Sequence, residues 1–111
     1  MPKRPKDPLQ PERCAEVLAA LAAPERLRIV RLLADGSRNV TEIIELAGIK
    51  DLNVSHHLTV LKHARLVQAE KRGRFVFYSL APKVLDEVIE AGVPKDALDL
   101  GCCRLVLPPE S

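Results

Sequence analysis

The chain has 111 residues, of which 47% are hydrophobic, 29% are charged and 3% are aromatic. This length allows one domain with a small core, and the hydrophobic fraction excludes disorder throughout the chain. No apolar run approaches the roughly 20 residues that span a bilayer, and the basic start at Met1 leads into no apolar secretion signal. We therefore expect a cytoplasmic domain with no membrane partner.

The net charge of +2 is small but unevenly distributed. Residues 50–78 contain six lysines and arginines against two acidic residues, whereas residues 79–101 contain two basic residues against five acidic ones. All three histidines lie in the basic segment. This distribution favours a polyanion-binding face that is separate from a second, acidic surface.

The first half of the chain carries the signals of successive helices. Helical apolar spacing begins at Glu12, and Pro24 suits the first turn of a second helix. Asn39 and Glu42 form a capping-box pattern at the start of a third helix, which Gly48 ends. Residues 52–66 predict a fourth helix. A short helix and a longer one joined by a turn are typical of a helix-turn-helix.

After Leu66 the apolar period changes from that of a helix to that of a strand. Two short strands flank Arg72-Gly73-Arg74 and predict a β-hairpin. Pro82 is then expected to open a fifth helix, whose apolar residues are Val84, Leu85, Val88 and Ile89. Residues 96–107 are ambiguous between helix and strand.

Together these elements predict a mainly α, winged helix-turn-helix fold with about five helices and a two-stranded hairpin as the wing. The winged helix-turn-helix DNA-binding domain would comprise residues 12–92. Residues 1–11 would form a flexible arm rich in proline and lysine, and residues 93–111 a C-terminal tail that carries Cys102 and Cys103.

Three segments in this order resemble the ArsR/SmtB family of metal-responsive repressors. They run over residues 21–33, 53–67 and 73–80, and the resemblance extends over about residues 14–92. It implies a dimeric bacterial repressor that releases its operator when it binds a metal ion or another inducer. It also implies that the first and last helices form the homodimer interface.

The fourth helix and the wing supply the candidate DNA contacts. The N-terminal turns of a helix in the major groove face base edges, and basic wing residues can reach phosphates or the minor groove. The resemblance points most to Ser55 and the adjacent histidines, although His57 is equally compatible with packing inside the motif. The candidates are Asn53, Ser55, His56, His57, Thr59, Lys62, Lys71, Arg72 and Arg74.

Two alternatives for these residues involve no DNA. One is a solvated helix face beside an ordinary charged turn. The other is a zinc site formed by His56, His57 and His63. It is disfavoured because helix neighbours diverge by about 100° and residues seven apart lie roughly 10 Å apart along the axis.

The three cysteines, Cys14, Cys102 and Cys103, are the candidate inducer site. Three thiolates suit trivalent arsenic or antimony, and soft ligands also select copper(I), cadmium or zinc. By resemblance, some family members bind arsenic or antimony through C-terminal cysteines, including adjacent ones. Because cytosolic thiols stay reduced, we expect no structural disulfide. Whether the three residues meet within one subunit or across two is left open, as is simple burial for packing.

Other metal sites known in the family are absent or incomplete in this sequence. The third helix has no thiol in residues 42–46, and the segment with Asp86, Glu87 and Glu90 has no histidine. We predict a homodimeric repressor of double-stranded operator DNA, with trivalent arsenic or antimony as inducer and no organic cofactor. The alternative is a repressor of the same fold whose cysteines sense redox state or reactive sulfur, or are merely structural. An enzyme is disfavoured because no catalytic grouping or cofactor motif is present.

Overall fold

The computed structural model describes residues 10–108, except for the side chain of Asp51. The arm expected at residues 1–11 therefore falls almost wholly outside the described residues. Within them lie four helices and six strands. In chain order these are α1 (Pro11–Leu21), α2 (Pro24–Leu33), β1 (Arg38–Asn39), α3 (Val40–Ala47), α4 (Asp51–His63), β2 (Val67–Arg72), β3 (Phe75–Leu80), β4 (Leu85–Glu90), β5 (Val93–Asp99) and β6 (Arg104–Val106). None of the described helices is long and apolar enough to cross a membrane.

The local signals at the start of α2 and α3 are confirmed. Pro24 occupies the first turn of α2, where its missing N–H costs nothing. At α3 the Asn39 side chain accepts a hydrogen bond from the Glu42 N–H at 2.9 Å, and the Glu42 carboxylate accepts one from the Asn39 N–H at 3.0 Å. Gly48 ends α3 with a φ of 66°, a conformation that glycine adopts without strain.

The core lies where the four helices meet. Its most deeply buried side chains include Ile29 and Val30 from α2, Ile43 from α3, and Leu58 and Leu61 from α4. Because these residues recur three or four positions apart, each helix turns one face inward and leaves the other free. The exposed face of α4 is therefore available to bind a partner.

The predicted wing is confirmed as the β2–β3 hairpin. The two strands are antiparallel, and Arg72 pairs with Phe75 across a two-residue turn. Gly73 opens that turn with a φ of 62°, which favours glycine. Strand β1 pairs with β3, so this sheet has the order β1-β3-β2 and is tied directly to the start of α3.

The prediction of a fifth helix is wrong, so the described chain has four helices rather than about five and is mixed α/β rather than mainly α. Residues 85–106 form a second antiparallel sheet with the order β4-β5-β6. Leu85 pairs with Leu98, and Leu98 joins the helical core together with Leu100. The expected domain boundary after residue 92 falls in the turn between β4 and β5, so these residues belong to one sheet.

The physical reason is that residues 84–89 suit two structures. Apolar side chains at Val84, Leu85, Val88 and Ile89 fit one face of a helix, but β-branched residues also favour a strand. A helix that began at Pro82 and ended before Gly92 would have fewer than three turns, which is too short to be stable without packing. Pairing with β5, which no local period reports, decides the outcome in favour of the sheet.

Replacing Ala91 by asparagine should stabilise the protein. Ala91 and Gly92 form the β4–β5 turn with φ values of 53° and 78°, as a type I′ turn requires. Asparagine tolerates this region better, and it should recover part of the roughly 1–2 kcal/mol that the left-handed conformation costs other residues. The measurement is chemical unfolding of Ala91→Asn beside Ala69→Asn, a matched change on β2. A fifth helix would give the opposite sign, a loss of up to about 0.7 kcal/mol.

Candidate nucleic-acid interface and cysteine cluster

Helix α4 presents a polar face to solvent over its whole length. Val54, Leu58 and Leu61 are buried, which fixes the rotation of the helix. Of the candidate contacts on α4, five are exposed: Asn53, Ser55, His56, Thr59 and Lys62. Amide, hydroxyl and imidazole groups at this spacing can form hydrogen bonds with base edges, and the lysine can reach a phosphate.

His57 differs from the other candidates on α4 because its side chain is only 12% exposed. Its Nδ1 atom lies 3.2 Å from Nη1 of Arg26, and its Nε2 atom lies 3.9 Å from a carboxylate oxygen of Glu25. A guanidinium only donates, so Nδ1 is the acceptor and the proton of the neutral ring is on Nε2, facing Glu25. His57 thus joins α4 to the start of α2.

The surroundings of His57 disfavour its protonated form. Burial of the imidazole lowers its pKa, and the positive charges of Arg26 and His56 lower it further, while Glu25 opposes the shift. A neutral ring is the form that accepts the Arg26 hydrogen bond. No local pattern in the sequence points to Arg26, which lies 31 residues away from its partner.

Leu52 is a further exposed residue on α4, and it is not among the contacts predicted from the sequence. Its side chain is 92% exposed at the N-terminal end of the helix, among the polar candidates. An apolar group there suits the methyl group of thymine in a major groove. The sequence could have indicated Leu52, because this apolar residue lies outside the buried stripe of α4.

The wing exposes all three of its candidate residues, Lys71, Arg72 and Arg74. Arg72 is partly engaged within the hairpin: its guanidinium lies 3.2 Å from the Glu70 carboxylate and 4.8 Å from the centre of the Phe77 ring. Lys71 and Arg74 extend from the hairpin end without such contacts among the described residues. Positive charge at the tip of a wing suits phosphate oxygens.

The cysteines meet within one subunit, at the junction of α1 and the second sheet. Cys14 lies in the first turn of α1, and Cys102 and Cys103 lie between β5 and β6. The Sγ atoms of Cys102 and Cys103 are 3.8 Å apart, and all three Sγ atoms lie within 4.8 Å of one another. Among the residues that the structure describes, this is the only group of three side chains with metal-ligand spacing.

The expectation of no disulfide is wrong, because Cys14 and Cys102 are bonded to each other. The turn between β5 and β6 explains their meeting: Leu100 is buried in the core, and its N–H donates to the Cys103 carbonyl at 2.9 Å. The Cα atoms of Cys14 and Cys102 come within 6.0 Å, a normal distance for a disulfide. Cys103 remains a free, exposed thiol.

The short helix α3, the exposed helix α4 and the basic β2–β3 hairpin define a winged helix-turn-helix DNA-binding domain, in which α4 is the recognition helix. Residues 23–69 match the family described as "Bacterial regulatory protein, arsR family". The chain belongs to this family of transcriptional regulators, and the resemblance noted from the sequence is confirmed.

Curated relatives and solved structures agree with this assignment. The chain is 40% identical over 93 residues to the HTH-type transcriptional regulator NmtR of Mycobacterium tuberculosis, with 78% of each protein covered. It is 35% identical over 99 residues to a probable mercury resistance operon repressor of Streptomyces lividans, with 86% of this chain and 79% of that protein covered.

Among solved structures, the chain resembles a homodimeric winged helix-turn-helix DNA-binding domain from Mycobacterium bovis, determined by solution NMR. The TM-score is 0.64 at 33% identity, and the match covers 71% of this chain and 73% of that one. The relatives are transcriptional regulators, so this chain is a DNA-binding regulator and not an enzyme.

The His57 environment predicts a pH-dependent stability. As pH falls through about 6.5, the ordinary pKa of histidine, the unfolded chain takes up a proton that folded His57 resists, so the free energy of unfolding falls. In His57→Gln, which keeps an acceptor for Arg26, the free energy of unfolding should fall less with decreasing pH than in the wild type. The measurement is urea unfolding between about pH 7.5 and 5.5, with His63→Gln as the exposed-histidine control. Identical pH profiles for the wild type and His57→Gln would contradict the prediction.

Proposed function

We propose that the protein is a homodimeric repressor that leaves its operator when a thiophilic metalloid binds Cys14, Cys102 and Cys103. Trivalent arsenic and antimony are the favoured inducers, because each takes three sulfur ligands. The observation that carries the proposal is the convergence of three sulfur atoms within 4.8 Å of one another. The residues present therefore fit the inducer once the Cys14–Cys102 pair is reduced.

The burial of the three cysteines supports a site that is both accessible and selective. Cys103 is exposed, Cys102 is half-buried and Cys14 is buried. An incoming metalloid can bind the exposed Cys103 first and then bind the sulfur atoms of Cys102 and Cys14 in place of its original ligands. Each thiol must lose its proton to bind as a thiolate, and with a trivalent arsenic or antimony hydroxide these protons leave with the displaced hydroxyl groups as water.

The proposed partner of α4 and the wing is double-stranded operator DNA in the cytoplasm. The polar face of α4 would enter the major groove, and Lys71 and Arg74 would contact the backbone. The homodimeric solved relative supports a homodimer here as well. Exposed apolar residues such as Leu18 on α1 and Ile89 on β4 supply surface that a second copy can cover. In such a dimer the sheet β4-β5-β6 would form the part of the interface that was expected from the last helix.

Neutralising the wing should weaken DNA binding in a salt-dependent way. Arg74→Gln should lower the affinity for all sequences and reduce the slope of log K against log salt by about 0.9 for each phosphate that the variant no longer neutralises. Fluorescence anisotropy on the protein's own promoter, measured over a range of salt, tests this. Lys95→Gln on β5, which removes the same charge outside the proposed interface, should leave the slope unchanged. Equal slopes for Arg74→Gln and the wild type would exclude a phosphate contact at Arg74.

Removing the C-terminal thiols should abolish the response to metalloid without affecting DNA binding. Under reducing conditions, arsenite or antimonite should weaken operator binding by the wild type about 5–150-fold, the usual range for coupled sites. Cys102→Ser/Cys103→Ser should bind the operator normally and stay bound. Anisotropy titrations with arsenite, antimonite and zinc supply the measurement. Release that persists in a variant lacking all three cysteines would refute the proposed site.

A second candidate, sensing of thiol oxidation, is favoured by the disulfide between Cys14 and Cys102. A hydroperoxide would oxidise one thiolate to a sulfenic acid, and the other thiol would then displace water to form the disulfide. Cys103→Ser separates the two candidates, because it keeps the oxidisable pair but removes the third thiolate. Release of that variant by hydrogen peroxide, reversed by dithiothreitol, would favour oxidation. Loss of arsenite response in the same variant would favour the metalloid.

A further inference from the structure

The cysteine cluster and the recognition helix are joined by a hydrogen bond from Arg13. Its Nη2 atom donates to the carbonyl oxygen of Ala64 at 2.6 Å. Ala64 is the C-cap residue directly after α4, and it is buried. The last carbonyls of a helix have no partner within the helix, and a cation is favourable at that end. Arg13 therefore caps the recognition helix from outside.

Arg13 is also next to the sensor candidate Cys14. Both residues lie in the first turn of α1, which begins at Pro11. Any displacement of the Cys14 backbone is passed to Arg13, because a hydrogen-bonded helical turn moves as a unit. Binding a metalloid and forming the disulfide require different positions of the Cys14 sulfur, since only the disulfide places it at bonding distance from Cys102.

The contact between α1 and α4 is open along one side. A groove of about 300 Å³ lies between the two helices. Small side chains, Ala19, Ala20 and Ala64, line much of it, so interdigitation is limited. Among the residues that the structure describes, the Arg13 bond is the only direct hydrogen bond between α1 and α4. The Arg13 bond is therefore the directional contact through which a shift of α1 reaches the end of α4.

The opposite end of α1 is held by Arg26. Its Nε atom donates to the Ala20 carbonyl at 2.5 Å, while its Nη1 atom contacts His57 on α4. Six residues, or about 9 Å of helix, separate Cys14 from Ala20. With one end held by Arg26, a change at Cys14 would displace mainly the other end of α1, which carries Arg13.

We propose that Arg13 is the positioning residue through which the cysteine cluster acts on the recognition helix. The inference rests on the proposed function, in which that cluster is the sensor. A change at Cys14 alters the bond from Arg13 to the Ala64 carbonyl and hence the orientation of α4 in the major groove. Arg13 itself contacts neither the inducer nor the DNA.

The test measures coupling between the sites. For full-length wild type, Arg13→Gln and Arg13→Lys, operator affinity is measured in the reduced state, with arsenite, and after oxidation to the Cys14–Cys102 disulfide. Glu16→Gln is the matched control, since it removes the ion pair of Arg13 with Glu16 but keeps the bond to Ala64. Near-ultraviolet absorbance of the arsenic–thiolate complex reports arsenite affinity separately.

In Arg13→Gln the ratio of operator affinities without and with arsenite should fall from the roughly 5–150 expected for the wild type to close to one, with partial rescue in Arg13→Lys. Because coupling is reciprocal, arsenite should then bind the DNA-bound variant as tightly as the free variant. A merely structural role would lower operator affinity equally in all states and leave the ratio intact. An unchanged ratio in Arg13→Gln would overturn the inference.

The oxidised state keeps this inference separate from the proposed function. If arsenite does not bind the wild type but oxidation changes operator affinity, the metalloid proposal fails. The role of Arg13 is then tested by the ratio of operator affinities of the reduced and oxidised proteins, compared between the wild type and Arg13→Gln. If neither treatment changes operator affinity in the wild type, no signal passes from Cys14 to α4, and the role of Arg13 is refuted.

Discussion

The apolar stripe of α4 is the constraint on which the DNA-facing surface depends. Leu58 and Leu61 are buried against Ile29 and Val30 of α2 in one core cluster. Truncating a buried leucine costs about 2–5 kcal/mol, a large share of the roughly 5–15 kcal/mol that stabilises a typical domain. This contact therefore holds the rotation of α4 more firmly than any single surface contact. The polar residues point outward because the apolar ones must point inward.

Polar contacts then attach the neighbouring helices to α4 at defined points. Arg26 connects the end of α1 with His57, and Arg13 connects the start of α1 with the last turn of α4. Each is a directional bond, so its loss changes geometry more than it changes total stability. The recognition helix is thus anchored by the core and attached to α1 at two defined points.

At the start of α1, the three cysteines allow two kinds of chemistry, disulfide formation and binding of a thiophilic metalloid. Cys14 and Cys102 can share a disulfide, or they can join Cys103 as thiolate ligands, but the same sulfur atoms cannot do both at once. A metalloid response therefore requires reduced thiols. The sulfur of Cys103, 3.8 Å from that of Cys102, is the one that lies outside the disulfide.

Residues with local signals could be interpreted from the sequence. Asn39 with Glu42 predicted a helix start, and Gly73 between alternating residues predicted the wing, because both depend on neighbours within a few positions. The buried stripe of α4 and most of its exposed candidates followed from the helical period in the same way. The winged helix-turn-helix was thus determined by the sequence alone.

Contacts between distant residues were decided only by the tertiary structure. The strand at 85–90 depends on pairing with Leu98, and the cysteine cluster depends on two residues 88 positions apart in the chain. Arg13 and Ala64 are separated by 51 positions. No periodicity records such partners, because which distant groups meet is set by how the helices and sheets pack together.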